Sequence, residues 1–251
     1  MSFTEEELER YARHIVLHEI GGPGQQKLKA AQVLVVGAGG LGAPAIQYLA
    51  AAGVGTLGVV DDDTVSLSNL QRQVIHASED VGEPKVVSAA RAVARLNPEV
   101  GVRRHQIRLT AENAPTILED YDLVVDGSDN FATRYLVNRM AAEQAIPVVL
   151  AALGRWEGQI AVFDPARGGP CYECVFPEPP SPERVPACAE AGVLGALAGV
   201  MGAMQAVEAV KLITGAGESL VGRLMLYDGL GAETRTIRIA PREDCPVCSQ
   251  L

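Results

Sequence analysis

The chain has 251 residues, 48% of them hydrophobic and only 4% aromatic, with a formal net charge of −10. That length supports one large domain or two small ones, and a chain of this size builds a core without disulfide staples. The acid excess argues against general nucleic-acid binding, which needs clustered lysine and arginine, and leaves solubility or a basic partner surface as its meaning.

The N-terminal stretch "MSFTEEELERYARH" is polar and acidic and lacks the basic and apolar regions of a signal peptide. Residues 4–19 predict an amphipathic helix with Thr4 as N-cap and Glu7 three residues on. "HEIGGPGQQ" reads as a breaker. "KLKAAQ" then leads into an apolar strand, "VLVVG", followed by a glycine loop, a helix "APAIQYLAAAG" ending at Gly53, and a second buried strand, "TLGVVDDD". This is a β-loop-α-β unit, whose strands should be parallel and whose crossover should be right-handed.

A helix over "EPKVVSAARAVARLNP", started by Pro84 and stopped before Pro98, precedes an alternating strand, "VGVRRHQIRL". "YDLVVDGSD" is another buried strand, "ATRYLVNRMAAEQA" a helix and "IPVVLAALG" a strand. To about residue 155 the order is that of a doubly wound, Rossmann-like, mainly parallel sheet. Beyond it, "GQIAVFDP", "GRLMLYDG" and "TRTIRIAP" predict antiparallel strands that extend the sheet. The prolines of "FPEPPSPERVPACAEAG" predict an extended loop. Residues 191–215 form the longest apolar run. It reaches membrane-spanning length only by including Glu208 and Lys211, so it predicts a buried helix, closely packed through Gly195, Gly199, Gly202 and Ala203.

Chemistry concentrates at strand ends. Gly37, Gly39 and Gly42 form a G-x-G-x-x-G loop between strand and helix, where free N–H groups and the helix dipole favour phosphate. Asp61, 19 residues past Gly42, is placed to accept from ribose hydroxyls. A nicotinamide dehydrogenase has this outline too. Asn69, Arg72 and Lys85 follow the second strand, however, and two cations with an asparagine suit a triphosphate better than a hydride site, although solvated surface charge is the usual fate of such residues taken singly. In "DGSDN", Asp129 is a candidate Mg²⁺ ligand, and Asp126 and Asn130 are turn makers or site residues. Together these residues point to ATP chemistry.

Five cysteines without a secretion signal argue against a disulfide framework and for a reducing cytoplasm. "CYEC" (Cys171, Cys174) and "CPVC" (Cys245, Cys248) supply four thiolates for one structural Zn²⁺, tying the C-terminus to the middle of the chain; a redox dithiol is the alternative for either pair. Cys188 is left over in the proline-rich loop, as a nucleophile toward an activated carboxyl group or as a passive thiol. Four scattered histidines, at 14, 18, 76 and 105, form no ligand pair or triad with Cys188 and read as structural.

In order along the chain, "RYARHIVL", "VLVVGAGGLGAPAIQYLAAAGVG", "VDDDTVSLSNLQRQ", "VGEPK", "SDN", "CYEC", "GVMGAMQAVEAVK" and "CPVC" resemble the MoeB/ThiF/HesA family, relatives of ubiquitin-activating enzymes. The resemblance implies a single adenylating domain over 1–251, with a helical arm (1–30), a nucleotide-binding half (31–155) and a carrier-binding, zinc-bearing half (156–251) containing a crossover loop at about 177–191. It implies an adenylyltransferase that joins AMP from Mg·ATP to the C-terminal glycine carboxylate of a ubiquitin-fold sulfur carrier ending in Gly-Gly. Gly39, Gly40 and Gly42 would approach the phosphates and Asp61 the ribose. Asn69, Arg72 and Lys85 would grip the phosphates, Asp129 would position Mg²⁺, and Arg13 would complete the ATP site of the other protomer in a homodimer. Cys171, Cys174, Cys245 and Cys248 would hold zinc, and Cys188 is the candidate for sulfur transfer. Three residues follow Cys248, so the expectation is that sulfur comes from a separate donor. "DTVSLSNLQRQ", and "AGV" after Cys188, resemble the branch serving the molybdopterin synthase small subunit; a thiamine-pathway carrier is the alternative within the family. A non-catalytic nucleotide-binding scaffold for a ubiquitin-like partner is the alternative outside enzymes.

Overall fold

The computed structural model describes residues 3–180, 192–249 and 251. Its centre is one eight-stranded sheet in the order β3-β2-β1-β4-β5-β6-β7-β8. Strands β1 (Gln32–Val36), β2 (Thr56–Val60), β3 (Gly101–His105), β4 (Leu123–Asp126) and β5 (Val148–Gly154) are parallel to one another. Strands β6 (Glu157–Phe163), β7 (Arg223–Asp228) and β8 (Glu233–Arg238) continue the sheet antiparallel. This is the expected mainly parallel, doubly wound sheet with an antiparallel extension.

The period-two pattern of β1 explains the layering. Val33 and Val35 join one core, with Ile46 and Leu49 of helix α4 (Gly42–Ala52) and Met201 of the long apolar helix. Leu34 and Val36 point to the opposite core, with Val137 and Ala141 of a helix over Phe131–Glu143. Both faces of the central strands are covered, which is why their sequences are continuous apolar runs.

The N-terminal helix is split into α1 (Glu5–Arg10) and α2 (Ala12–Ile15). The capping box is present: the Thr4 hydroxyl accepts from the Glu7 N–H at 3.1 Å, and the Glu7 carboxylate accepts from the Thr4 N–H at 2.9 Å. The break falls at Tyr11, which is buried and whose hydroxyl accepts from Asn97 at 2.8 Å.

The expected breaker is corrected. "GGPGQQ" opens helix α3 (Gly21–Ala30). Pro23 stands in its first turn, where a missing N–H removes no intrahelical bond, and buried Gln25 ties the helix to the Ala52 carbonyl at 2.8 Å. Tertiary contacts override a weak local propensity here. Helices α5 (Lys85–Leu96), α6 (Ala114–Leu118), α7 (Phe131–Glu143) and α8 (Tyr172–Val175) follow.

The apolar run forms α9 (Gly195–Thr214), closed by Gly215 at φ +82°. By length and composition alone it suffices to cross a membrane. In the fold it lies against α4, α3, β5 and β6, with Glu208 buried and paired to Lys211. Its glycines divide. A Cβ at Gly202 would meet the Leu41 carbonyl oxygen at 2.2 Å, whereas Gly199 has nothing within 4 Å. Gly202 therefore lets α9 pack onto the start of α4, directly behind the glycine loop.

Candidate functional site

The strand order reverses between β1 and β4, and the crevice beyond their carboxyl ends is where such folds take ligands. A cleft of about 350 Å³ opens there. Gly37, Gly39 and Gly40 of the glycine loop, with Asp61, Arg72, Lys85, Ser128 and Asp129, are among the residues that line it. Gly37, at φ +90°, turns the chain off β1. Gly42 returns so close that a Cβ would lie 1.8 Å from the Gly37 carbonyl oxygen. Gly42→Ala is accordingly expected to destabilise the protein by about 2–4 kcal/mol. A thermal melt unchanged from that of the parent protein would contradict this reading of the loop.

Asp61, at the end of β2, fixes the loop from the side. One carboxylate oxygen accepts from the Ala38 N–H at 2.8 Å and the other from the Asp63 N–H at 2.9 Å. Burial pushes its carboxyl above the usual carboxylate range, against the pull of Lys85. Lys85 begins α5 and is itself buried. Its Nζ lies 2.8 Å from Asp63 and 3.9 Å from Asp61. Asp63 is mostly exposed, so a phosphate that takes its place beside the buried Lys85 ammonium leaves no buried carboxylate unpaired. Arg72 donates to the Ser68 carbonyl at 3.2 Å, and its aliphatic stem runs beside Gly40. Four cations (Arg72, Lys85, Arg108, Arg134) face four carboxylates (Asp61, Asp62, Asp63, Asp129) around the cleft.

In "DGSDN" the acids separate by role. Asp126 is completely buried and accepts from the Ser128 N–H at 2.9 Å, and burial raises its pKa. Asn130 caps α7 by accepting from the Thr133 N–H at 2.9 Å. Both act as turn makers. Asp129 is exposed and makes no hydrogen bond or ion pair to another described residue. A single carboxylate open to a ligand's phosphates suits Mg²⁺, which is usually bound by one or two carboxylates plus phosphate oxygens.

Three expected residues lie apart from the cleft lining: Gly42, at the start of α4 behind the loop, Asn69 and Arg13. Asn69 sits one turn before Arg72, and its backbone carbonyl accepts from the Arg72 and Gln73 N–H groups. Arg13 is exposed on α2. Cys188, with most of the expected crossover loop, lies outside the described residues.

Sequence reasoning missed Arg134. Arg134 is buried in the first turn of α7 and donates to the Ser128 carbonyl at 2.8 Å. The available signal was an arginine four residues past the Asn130 cap. A second, larger cleft of about 700 Å³, with Phe131, Tyr172, Phe176 and Tyr227 among its walls, shares Asp129, Arg134 and Leu153 with the first. His76, read as structural, lies buried under the glycine loop, with Nε2 2.9 Å from the Ala38 carbonyl oxygen.

The four paired cysteines converge. Their sulfurs all lie within 4.8 Å of one another, with Cys171 3.8 Å from Cys174 and 3.5 Å from Cys245, and Cys174 3.3 Å from Cys248. Four sulfurs placed tetrahedrally about 2.3 Å from one zinc ion are about 3.8 Å apart, so the donor set fits that ion. Burial pushes the Cys171 thiol up, and the Cys248 thiol to about 11. A bound cation reverses that preference by making thiolates the stable form. The Arg242 N–H donates to Cys174 Sγ at 3.4 Å. From α7, Asn138 accepts the Tyr172 N–H at 2.7 Å, and Arg139 pairs with buried Glu173 at 2.8 Å, fixing the first knuckle. Convergence of both pairs on one point distinguishes this cluster from an isolated redox dithiol.

A glycine loop at the switch point of a doubly wound sheet, ringed by charged side chains, together with a four-thiol cluster that fits one zinc ion, defines a Rossmann-like α/β protein. A family model described as the ThiF family matches residues 11–247, and the chain belongs to that family. It is 52% identical to a sulfur carrier protein adenylyltransferase of Thermus thermophilus, over 99% of this chain and 93% of that protein. It is 50% identical to the SAMP-activating enzyme E1 of Haloferax volcanii, over 100% of this chain and 92% of that protein. It is 49% identical to the adenylyltransferase/sulfurtransferase MoeZ of Mycobacterium tuberculosis, of which it spans 64%. A crystal structure of E. coli MccB with ATP shares the fold, at a TM-score of 0.84 and 24% identity, over 98% of this chain and 75% of that one.

Proposed function

We propose that the chain is an adenylyltransferase that activates the C-terminal glycine carboxylate of a ubiquitin-fold sulfur carrier protein. The observation that carries the reading is the junction of the two clefts. The nucleotide loop lies on one side of Asp129 and Arg134, and an open, partly aromatic channel suited to an extended Gly-Gly tail lies on the other. Names and coverage of the Thermus and Haloferax relatives support it.

In this reading Gly39, Gly40 and Gly42 approach the phosphates of ATP, Asp61 accepts from the ribose, and Asn69, Arg72 and Lys85 take phosphate charge. The carrier carboxylate, ionised near neutral pH, attacks the α-phosphorus. A carboxylate O–P bond forms, the bond from the α-phosphorus to the bridging oxygen breaks, and pyrophosphate leaves with its electron pair. No general base is needed, and the protein's work is positioning and charge neutralisation. Mg²⁺ held through Asp129 would supply further neutralisation of phosphate charge. Arg13 of one protomer reaches the ATP site of the other in a homodimer. Cys171, Cys174, Cys245 and Cys248 hold Zn²⁺ in a structural role, which a reducing cytoplasm permits. Cys188 is outside the adenylation step and serves any later sulfur transfer. The carrier we favour is the molybdopterin synthase small subunit, on the strength of "DTVSLSNLQRQ".

Exchange of labelled pyrophosphate into ATP tests this with purified carriers of several pathways. Exchange is expected only with a carrier ending in Gly-Gly, most strongly with the molybdopterin synthase subunit, and unchanged in Cys188→Ala. No exchange with any carrier, together with no trapped acyl-adenylate, would leave the chain a binding scaffold. Loss of exchange in Cys188→Ala would place that thiol inside the adenylation step.

A further inference from the structure

A chain of buried proton-carrying groups under the glycine loop is not used by the chemistry above. His76 Nε2 lies 2.9 Å from the Ala38 carbonyl oxygen, and Nδ1 lies 2.7 Å from the Ser88 hydroxyl. That hydroxyl lies 2.6 Å from Asp80 Oδ2, and Asp80 also accepts from the Ala77 N–H at 2.9 Å and from Arg91 at 2.8 Å. His76, Ser88 and Asp80 are all buried.

Counting hydrogens constrains the ring. A carbonyl oxygen only accepts, so Nε2 carries a hydrogen. Ser88 has one hydroxyl hydrogen. If it goes to Asp80, Nδ1 must donate to Ser88, and His76 is an imidazolium with every contact satisfied. If it turns to Nδ1, the ring is neutral, and Asp80 gives up its bond from Ser88 but keeps Ala77 and Arg91. The two states differ by one proton and the rotation of one hydroxyl.

The surroundings balance these states. Asp61, from the end of β2, and Asp80, from the turn before α5, favour the charged ring, as does the Ala38 carbonyl. Burial, the largest influence, and Lys85, at the start of α5, oppose it, and the net direction is downward from an ordinary histidine. Burial thereby biases the free protein toward the neutral ring, with the Ser88 hydroxyl turned to Nδ1. Ala38 joins this chain to the ligand side. Its carbonyl is held by His76 and its N–H by Asp61. A polyphosphate brought against this loop adds negative charge close to the ring and favours the protonated state.

We propose that His76 is a positioning residue of the nucleotide site, fixing the glycine loop through the Ala38 carbonyl and taking up a proton from solvent when Mg·ATP binds. This rests on the ATP reading above. Calorimetric titration of Mg·ATP, in buffers of different ionisation enthalpy at pH 7.5, measures proton uptake directly. Wild-type protein is expected to take up a substantial fraction of one proton. His76→Gln keeps an N–H for Ala38 but cannot titrate. It should bind within about threefold of wild type with uptake near zero, and His76→Ala should bind about tenfold more weakly, as loss of one hydrogen bond implies. Equal uptake in wild type and His76→Gln would overturn the proposal while leaving ATP binding intact. No ATP binding by wild type would overturn the nucleotide reading and the proposal with it. Nitrogen-detected NMR of the wild-type imidazoles gives a check free of variants: both His76 nitrogens protonated with Mg·ATP supports the switch, and an unchanged single-proton tautomer refutes it.

Discussion

Replacing Asp129 with alanine is expected to lower carrier-dependent pyrophosphate exchange by about 10²- to 10³-fold, the cost of removing one well-placed electrostatic group from a reacting centre. Stability should stay within about 0.5 kcal/mol of the parent, because the side chain is exposed and makes no hydrogen bond or ion pair to a described residue. The carboxylate stands where the two clefts meet, so an effect on exchange without an effect on melting separates chemistry from folding. Exchange within threefold of the parent would remove Asp129 from the mechanism. Asp126, three residues earlier, is no substitute, since it is buried and committed to the Ser128 N–H.

Cys174→Ser should produce the opposite pattern. Metal content is expected to fall from one zinc per chain toward none, and the melting temperature to fall by about 10 °C. The size follows from chain entropy. The cluster joins sulfurs 74 residues apart, and releasing a cross-link that closes a loop of that length costs about 4 kcal/mol. Each kcal/mol shifts the melting point of a domain this size by roughly 2–4 °C. Metal analysis and a thermal melt on the same sample read both. Retained zinc with an unchanged melt would mean that the four thiols are not a structural site.

Much of this was legible locally. Valine-rich runs such as "VLVV" and "TLGVV" read as buried strands, because both of their faces are covered in a parallel sheet. Thr4 and Glu7 announced a capping box, whose two bonds span only three residues. The paired thiols were legible as a metal donor set, since each C-x-x-C spacing is itself the geometric requirement. Local reading failed at "GGPGQQ", where glycine and proline signalled a break and buried Gln25 and its bond to Ala52 hold a helix. The structural reading of His76 held, but its partners Ala38 and Ser88, 38 and 12 residues away, were not legible along the chain.

The sequence by itself determined the periodicities, the glycine loop between strand and helix, and the residue types available for phosphate, magnesium and zinc. These are properties of neighbours along the chain. Only the tertiary structure decided the rest. It placed Lys85 against Asp63, 22 residues back, rather than in free solvent. It put Arg134 and Asp129 at the meeting of two clefts, set Arg13 on an exposed face, and laid Gly202 of α9 behind the loop that begins α4. The physical reason is common to all of them. A side chain's charge, proton and reach depend on what distant segments bury against it, and periodicity along the chain carries no record of that.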